Sequence, residues 1–126
     1  MPHKVLYIED NPDNMTLVKR ALEARGYEFF WAQNGIIGVQ TAEDVQPDII
    51  LLDINLPDID GYEVARRLRN SGKSSLVYVP IIAITANALR GDAEKALASG
   101  CDVYMAKPIN IRELWARLEG FLTPHN

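Results

Sequence analysis

The chain has 126 residues, 48% of them apolar and 24% charged, with a formal net charge of −4 and one cysteine. That length predicts a single domain with its own core, and the mild acidic balance excludes a polybasic nucleic-acid groove or membrane surface. Cys101 has no partner for an internal disulfide, and His3 and His125, at opposite ends, cannot join a zinc-spaced cluster. The first apolar run is too short for a signal peptide, and no segment approaches the length of a membrane span, so a reducing, cytoplasmic setting is expected.

The first strand is expected over 4–9, where Val5-Leu6-Tyr7-Ile8 runs straight into Glu9-Asp10. "NPDNM" then opens a helix over 14–25, with Asp13 or Asn14 as its cap, Pro12 setting the approach and Gly26 closing it. A strand over 28–32 and a helix over 35–45 follow. The next strand, 48–53, is an apolar run that ends on a carboxylate, Asp53, and a helix over 61–70 comes after it. A strand over 80–84 delivers Thr85.

Segment 87–99 reads as a loosely held helix. Its would-be core positions are mostly alanine, Leu89 and Leu97 excepted, and Gly91 inside it costs about 1 kcal/mol relative to Ala. Close packing through small residues and a mobile switch element both fit that pattern. The fifth strand, 102–105, leads through Tyr104 to Lys107-Pro108. In the final helix, 110–122, Ile111, Leu114, Trp115, Leu118, Phe121 and Leu122 form one apolar stripe, which places Trp115 in the core. Five strand–helix alternations of this kind predict an α/β fold with a mostly parallel sheet.

In a doubly wound sheet the carboxyl ends of the strands meet in one crevice. Glu9, Asp10, Asp53, Thr85 and Lys107 all arrive at such ends. Three acids in one place raise one another's pKa, and one lysine cannot offset them all, so a hard divalent cation is expected. Mg2+ suits an all-oxygen site that retains waters and takes a phosphate oxygen. Asp10 and Asp53, with water and Glu9, are the expected ligands. Asp53 is then a nucleophile able to accept a phosphoryl group, with Lys107 offsetting its charge and Thr85 donating a hydrogen bond to its oxygens.

The motifs "YIEDN", "LLDINLPDIDG", "AITA" and "YMAKP" together resemble a two-component response-regulator receiver domain of the CheY-like superfamily, over essentially the whole chain. The resemblance implies a flavodoxin-like (βα)5 sandwich with a five-stranded parallel sheet in the order 2-1-3-4-5. It also implies phosphorylation of Asp53 by a histidine kinase or histidine phosphotransfer protein, with the Asn55 carbonyl as a further Mg2+ ligand and Glu9 acting through water. Thr85 and the Ala86 amide would hold the phosphoryl group, Lys107 would pair with it, and the Lys107-Pro108 bond would be cis. Thr85 would move toward the phosphoryl group and Tyr104 would turn inward, changing the face formed by 87–99, 102–105 and 110–122 for a downstream protein target. "EDNPDN" resembles hybrid-kinase receivers and stand-alone receivers of the DivK type. The expectation is therefore a single receiver domain over 1–126 without an output domain, monomeric or weakly dimeric, with a phosphodonor docking near Asn14, Met15, Pro108 and Ile109.

Two rival readings are weaker. A haloacid-dehalogenase-like phosphatase resembles D-x-D at this place, but the second acid is here Asn55, which has no carboxylic proton to donate. That argues against an enzyme turning over external substrates. A phosphorylation-independent scaffold would be expected to lack one of the four motifs, and none is missing. "GKSS" at 72–75 fails as a P-loop, because Arg67 stands where its first glycine is required.

Overall fold

The computed structural model describes residues 2–86 and 91–122. Five strands, β1 (Lys4–Ile8), β2 (Glu28–Ala32), β3 (Ile49–Asp53), β4 (Ile81–Thr85) and β5 (Val103–Ala106), form one sheet in the order β2-β1-β3-β4-β5, every pair parallel. Between and after them run α1 (Pro12–Glu23), α2 (Gly35–Val45), α3 (Gly61–Arg69), the single turn α4 (Ser74–Val77), α5 (Asp92–Ala98) and α6 (Ile111–Leu122). Both the class and the strand order match the expectation.

The central strands are buried on both faces, which is why they read as continuous apolar runs rather than alternating ones. Leu6, Ile8, Ile50, Leu52, Ile81 and Ala83 point to the side covered by α2, α3 and α5. Tyr7, Ile49, Leu51, Ile82 and Ile84 point to the other, where α1 and α6 bring Val18, Leu22, Leu114 and Leu118. No helix among the described residues is long and apolar enough to cross a membrane.

Local chemistry moves several boundaries. Helix α1 begins two residues earlier than expected, because Pro12 occupies its first turn and Asn11, not Asp13 or Asn14, caps it by accepting from the Asn14 amide at 3.0 Å. Gly91 is not inside α5 but immediately before it, at φ 84, a left-handed conformation that glycine adopts without strain. Ala93 and Ala96 supply the packing of α5, whereas Leu97 is 47% exposed and not a core residue. Residues 87–90, including Leu89, lie outside the described residues.

Trp115 is half-buried instead of core. Its indole N–H donates to the Ala21 carbonyl at 2.9 Å and the Arg25 guanidinium lies 4.0 Å from the ring centre, so it fastens α6 to α1. Turn α4 was not expected; it carries no periodicity, and Leu76 is its one buried side chain. Arg69, at the end of α3, donates to the carbonyls of Leu76, Val79 and Gly100 and to Asp102, tying α3 to the segments that enter β4 and β5.

Candidate functional site

The parallel register brings the strand ends level. Ile8 pairs with Leu52, so the next residues, Glu9 and Asp53, meet at the carboxyl edge of the sheet. Glu9, Asp10 and Asp53 each offer a carboxylate oxygen, and those oxygens lie within 4.8 Å of one another. Asp10 is exposed, while Glu9 and Asp53 are buried. Lys107 reaches in from the segment after β5, its Nζ 3.0 Å from Asp53 Oδ2 and 3.6 Å from Glu9 Oε1. The Lys107-Pro108 bond is cis.

The surroundings hold this group in place. Asp53 Oδ1 accepts from the Asn55 amide at 3.1 Å. Glu9 Oε1 accepts from Asn14 Nδ2 at 2.6 Å, and the Glu9 carbonyl accepts from the Trp31 indole at 2.6 Å. Behind Asp53, a Cβ on Gly61 would stand 2.7 Å from Ile54 Cα and 2.8 Å from the Asp53 carbonyl oxygen, so only glycine lets α3 begin this close. Asp58 accepts from the amides of Gly35 and Ile36, anchoring the loop after β3 to the start of α2. Burial works against its charge, but those amides outweigh it and hold the carboxyl below its usual range.

The electrostatics are unbalanced. Burial, followed by the neighbouring Asp53, pushes the Glu9 carboxyl up to about 8, against the opposing pull of Asn14 and Lys107. Its Oε2 is buried without a hydrogen bond, and so is the Tyr7 hydroxyl beneath it. Burial, then Glu9, Asp53 and Asp10, push that phenol above its ordinary range. An all-oxygen donor set, three acids against one lysine and an unpaired buried carboxylate oxygen fit a hard divalent cation such as Mg2+.

The raised Glu9 pKa makes a pH prediction. The folded chain holds the Glu9 proton more tightly than the unfolded chain, so this contribution is full below about 4.5 and is lost as pH rises through about 8. In divalent-free buffer the melting temperature of the wild type, relative to Glu9→Gln, is expected to fall across that window. A difference independent of pH would contradict the assignment.

The other expected site residues differ in burial and in partners. Thr85 is fully buried at the end of β4, but its hydroxyl donates to Asp92 Oδ2 at 3.0 Å, a partner that sequence reading missed. Tyr104 is 41% exposed on β5, facing outward rather than into the core. Asn55 and Ala86 are exposed at the rim. Trp31 and Tyr7 were missed as well. Each is an aromatic within a strand, and only the fold shows that the Trp31 indole bonds the Glu9 carbonyl and that the Tyr7 hydroxyl is buried near the acids.

A family model, the response regulator receiver domain, matches residues 5–119. The polar-differentiation response regulator DivK of Brucella anthropi is 38% identical over 122 residues, 97% of this chain and 98% of that protein. The receiver domain of a sensor histidine kinase, PA1611 of Pseudomonas aeruginosa, was solved with magnesium in its active-site cleft. It is 39% identical, with a TM-score of 0.90 over 98% of this chain and all of that one. A Saccharomyces cerevisiae co-crystal of a histidine phosphotransfer protein with the receiver domain of its downstream response regulator matches with a TM-score of 0.87 and 30% identity, over 95% of this chain and 88% of that one. A family match along nearly the whole chain, on a sheet whose strand ends gather these acids and the lysine, establishes that this chain belongs to the response regulator receiver domains of two-component systems.

Proposed function

We propose that the 126 residues form one receiver unit in which Asp53 accepts a phosphoryl group from a phosphohistidine of a kinase or phosphotransfer protein. The observation that carries this reading is the Asp53 carboxylate, buried at the end of β3, paired with Lys107 and flanked by two further acids. Asp10, Asp53 and the Asn55 carbonyl would hold Mg2+, with Glu9 acting through water. When bound, the ion neutralises charge between the carboxylates and the incoming phosphoryl oxygens.

An Asp53 oxygen attacks phosphorus, forming a P–O bond as the P–N bond to the donor imidazole breaks, and the nitrogen keeps the electron pair. Lys107 offsets the phosphoryl charge, while Thr85 and the Ala86 amide hold its oxygens. Asn55 has no acid proton to give, so the chain's product is its own phosphorylated state. Thr85 and Tyr104 relay that state to the face formed by α5, β5 and α6, where a downstream protein docks. The phosphodonor approaches over a cleft lined by Asn14, Leu17, Lys107, Pro108 and Ile109, beside Asp53.

Intact mass after incubation with a small phosphodonor and Mg2+ is the test. A single phosphoryl adduct is expected, and it should disappear in Asp53→Asn. An adduct undiminished by that substitution would place the chemistry elsewhere.

A further inference from the structure

Thr85 has one hydroxyl hydrogen, and in this structure Asp92 receives it. Asp92 is the first residue of α5, set there by the left-handed turn at Gly91. On the neighbouring helix α3, the Tyr62 hydroxyl is buried without a hydrogen bond. Burial, and then the Asp92 carboxylate beside it, push that phenol up to about 12. Asp92 therefore accepts from one hydroxyl and neighbours a second, that of Tyr62, which is buried without a hydrogen bond.

We propose that Asp92 is a positioning residue for the phosphoryl site: at rest it holds the Thr85 hydroxyl away from Asp53, and Tyr62 replaces Thr85 as its donor when Thr85 turns to a phosphoryl oxygen. This rests on the reading that Thr85 serves the phosphoryl group. One hydrogen cannot serve Asp92 and a phosphoryl oxygen at once, so the two bonds exclude each other. The bond to Asp92 is charge-assisted and correspondingly strong, which biases the resting side.

Leaving Asp92 would cost the half-buried carboxylate a donor, unless another supplied it. The Tyr62 hydroxyl, itself a buried donor without an acceptor, does so. In the exchange one hydrogen bond breaks and two form, Thr85 to phosphoryl and Tyr62 to Asp92. The two neighbours consequently act in opposite directions, Asp92 restraining the switch and Tyr62 favouring it. The exchange also links the phosphoryl site to α3, independently of Tyr104.

The test is binding of beryllofluoride, a phosphoryl mimic, with Mg2+ to the full chain. Asp92→Ala is expected to bind it about tenfold more tightly, Asp92→Asn to shift the same way by less, and Tyr62→Phe to bind several-fold more weakly. All three effects should vanish in a Thr85→Val background, because no hydroxyl remains to exchange; a merely structural role would persist there. In protein free of Mg2+ and mimic, three-bond NMR couplings should show one Thr85 χ1 rotamer in the wild type and averaging in Asp92→Ala.

Unchanged or weaker binding by folded Asp92→Ala, a rotamer that stays fixed, or equal shifts in Thr85→Val would overturn the proposal. If Asp92→Ala does not fold, Asp92→Asn carries the same sign. Failure of the underlying reading looks different: the wild type would not bind the mimic, or Asp53→Asn would bind it equally well.

Discussion

Replacing Lys107 by Met, a side chain of similar length without the charge, is expected to slow phosphorylation of Asp53 by about 10²–10³-fold at saturating Mg2+. The ammonium stands 3.0 Å from Asp53 Oδ2 and is shared with Glu9 at 3.6 Å. In the transition state the charge of the transferring group is spread over its three oxygens while the carboxylate closes on phosphorus, and a cation already aimed at the nucleophile stabilises that state without reorganising. Lys107 belongs to the segment after β5 and not to the core, so the fold should survive its loss. The rate is read from the growth of the phosphorylated mass with time, beside a far-ultraviolet spectrum. A rate within twofold of wild type would remove Lys107 from the chemistry. Mg2+ should in turn raise the melting temperature, more strongly at higher pH because it competes with the proton on Glu9, and Asp10→Asn should blunt that rise.

Arg69→Met is expected to cause the largest loss of stability, about 3 kcal/mol, or on the order of 10 °C in melting temperature for a chain of this size. The guanidinium bonds the Val79 carbonyl at 2.7 Å, Leu76 at 3.0 Å, Gly100 at 2.7 and 3.0 Å, and Asp102 Oδ2 at 3.0 Å. That carboxylate oxygen also accepts the Ile81 amide at 2.8 Å. Methionine fills the stem's volume but leaves these partly buried acceptors without donors, and lysine, lacking the planar fork, should rescue little. Chemical denaturation measures the effect. A loss under 1 kcal/mol would mean that water replaces the guanidinium at no cost, which the half-closed geometry argues against. Gly100 belongs to the same device: its φ is 115, and a Cβ there would stand 2.8 Å from Arg69 Cγ.

What could be read from the sequence depended on the range of the interaction responsible. The strand runs were plain because burial on both faces demands unbroken apolar residues, and their acidic ends were plain because charge cannot continue into a core. The start of α1 was misplaced because Asn11, Asp13 and Asn14 can all cap a helix, and the role falls to Asn11, with Pro12 in the first turn behind it. Gly91 looked like a flaw in a helix until its positive φ placed it before the first turn.

The acids, Thr85 and Lys107 were each recognisable as strand-end residues, and the alternation of strands and helices determined that they would share an edge. Tertiary structure alone decided which of them touch. Lys107 reaches Asp53 across 54 positions of chain, whereas Thr85, which the same logic aimed at Asp53, donates instead to Asp92 seven residues on. Arg69 and Trp31 acquired their partners in the same way. Periodicity encodes which face a residue occupies, but a hydrogen bond is decided by distance and angle between groups that only the packed helices bring together.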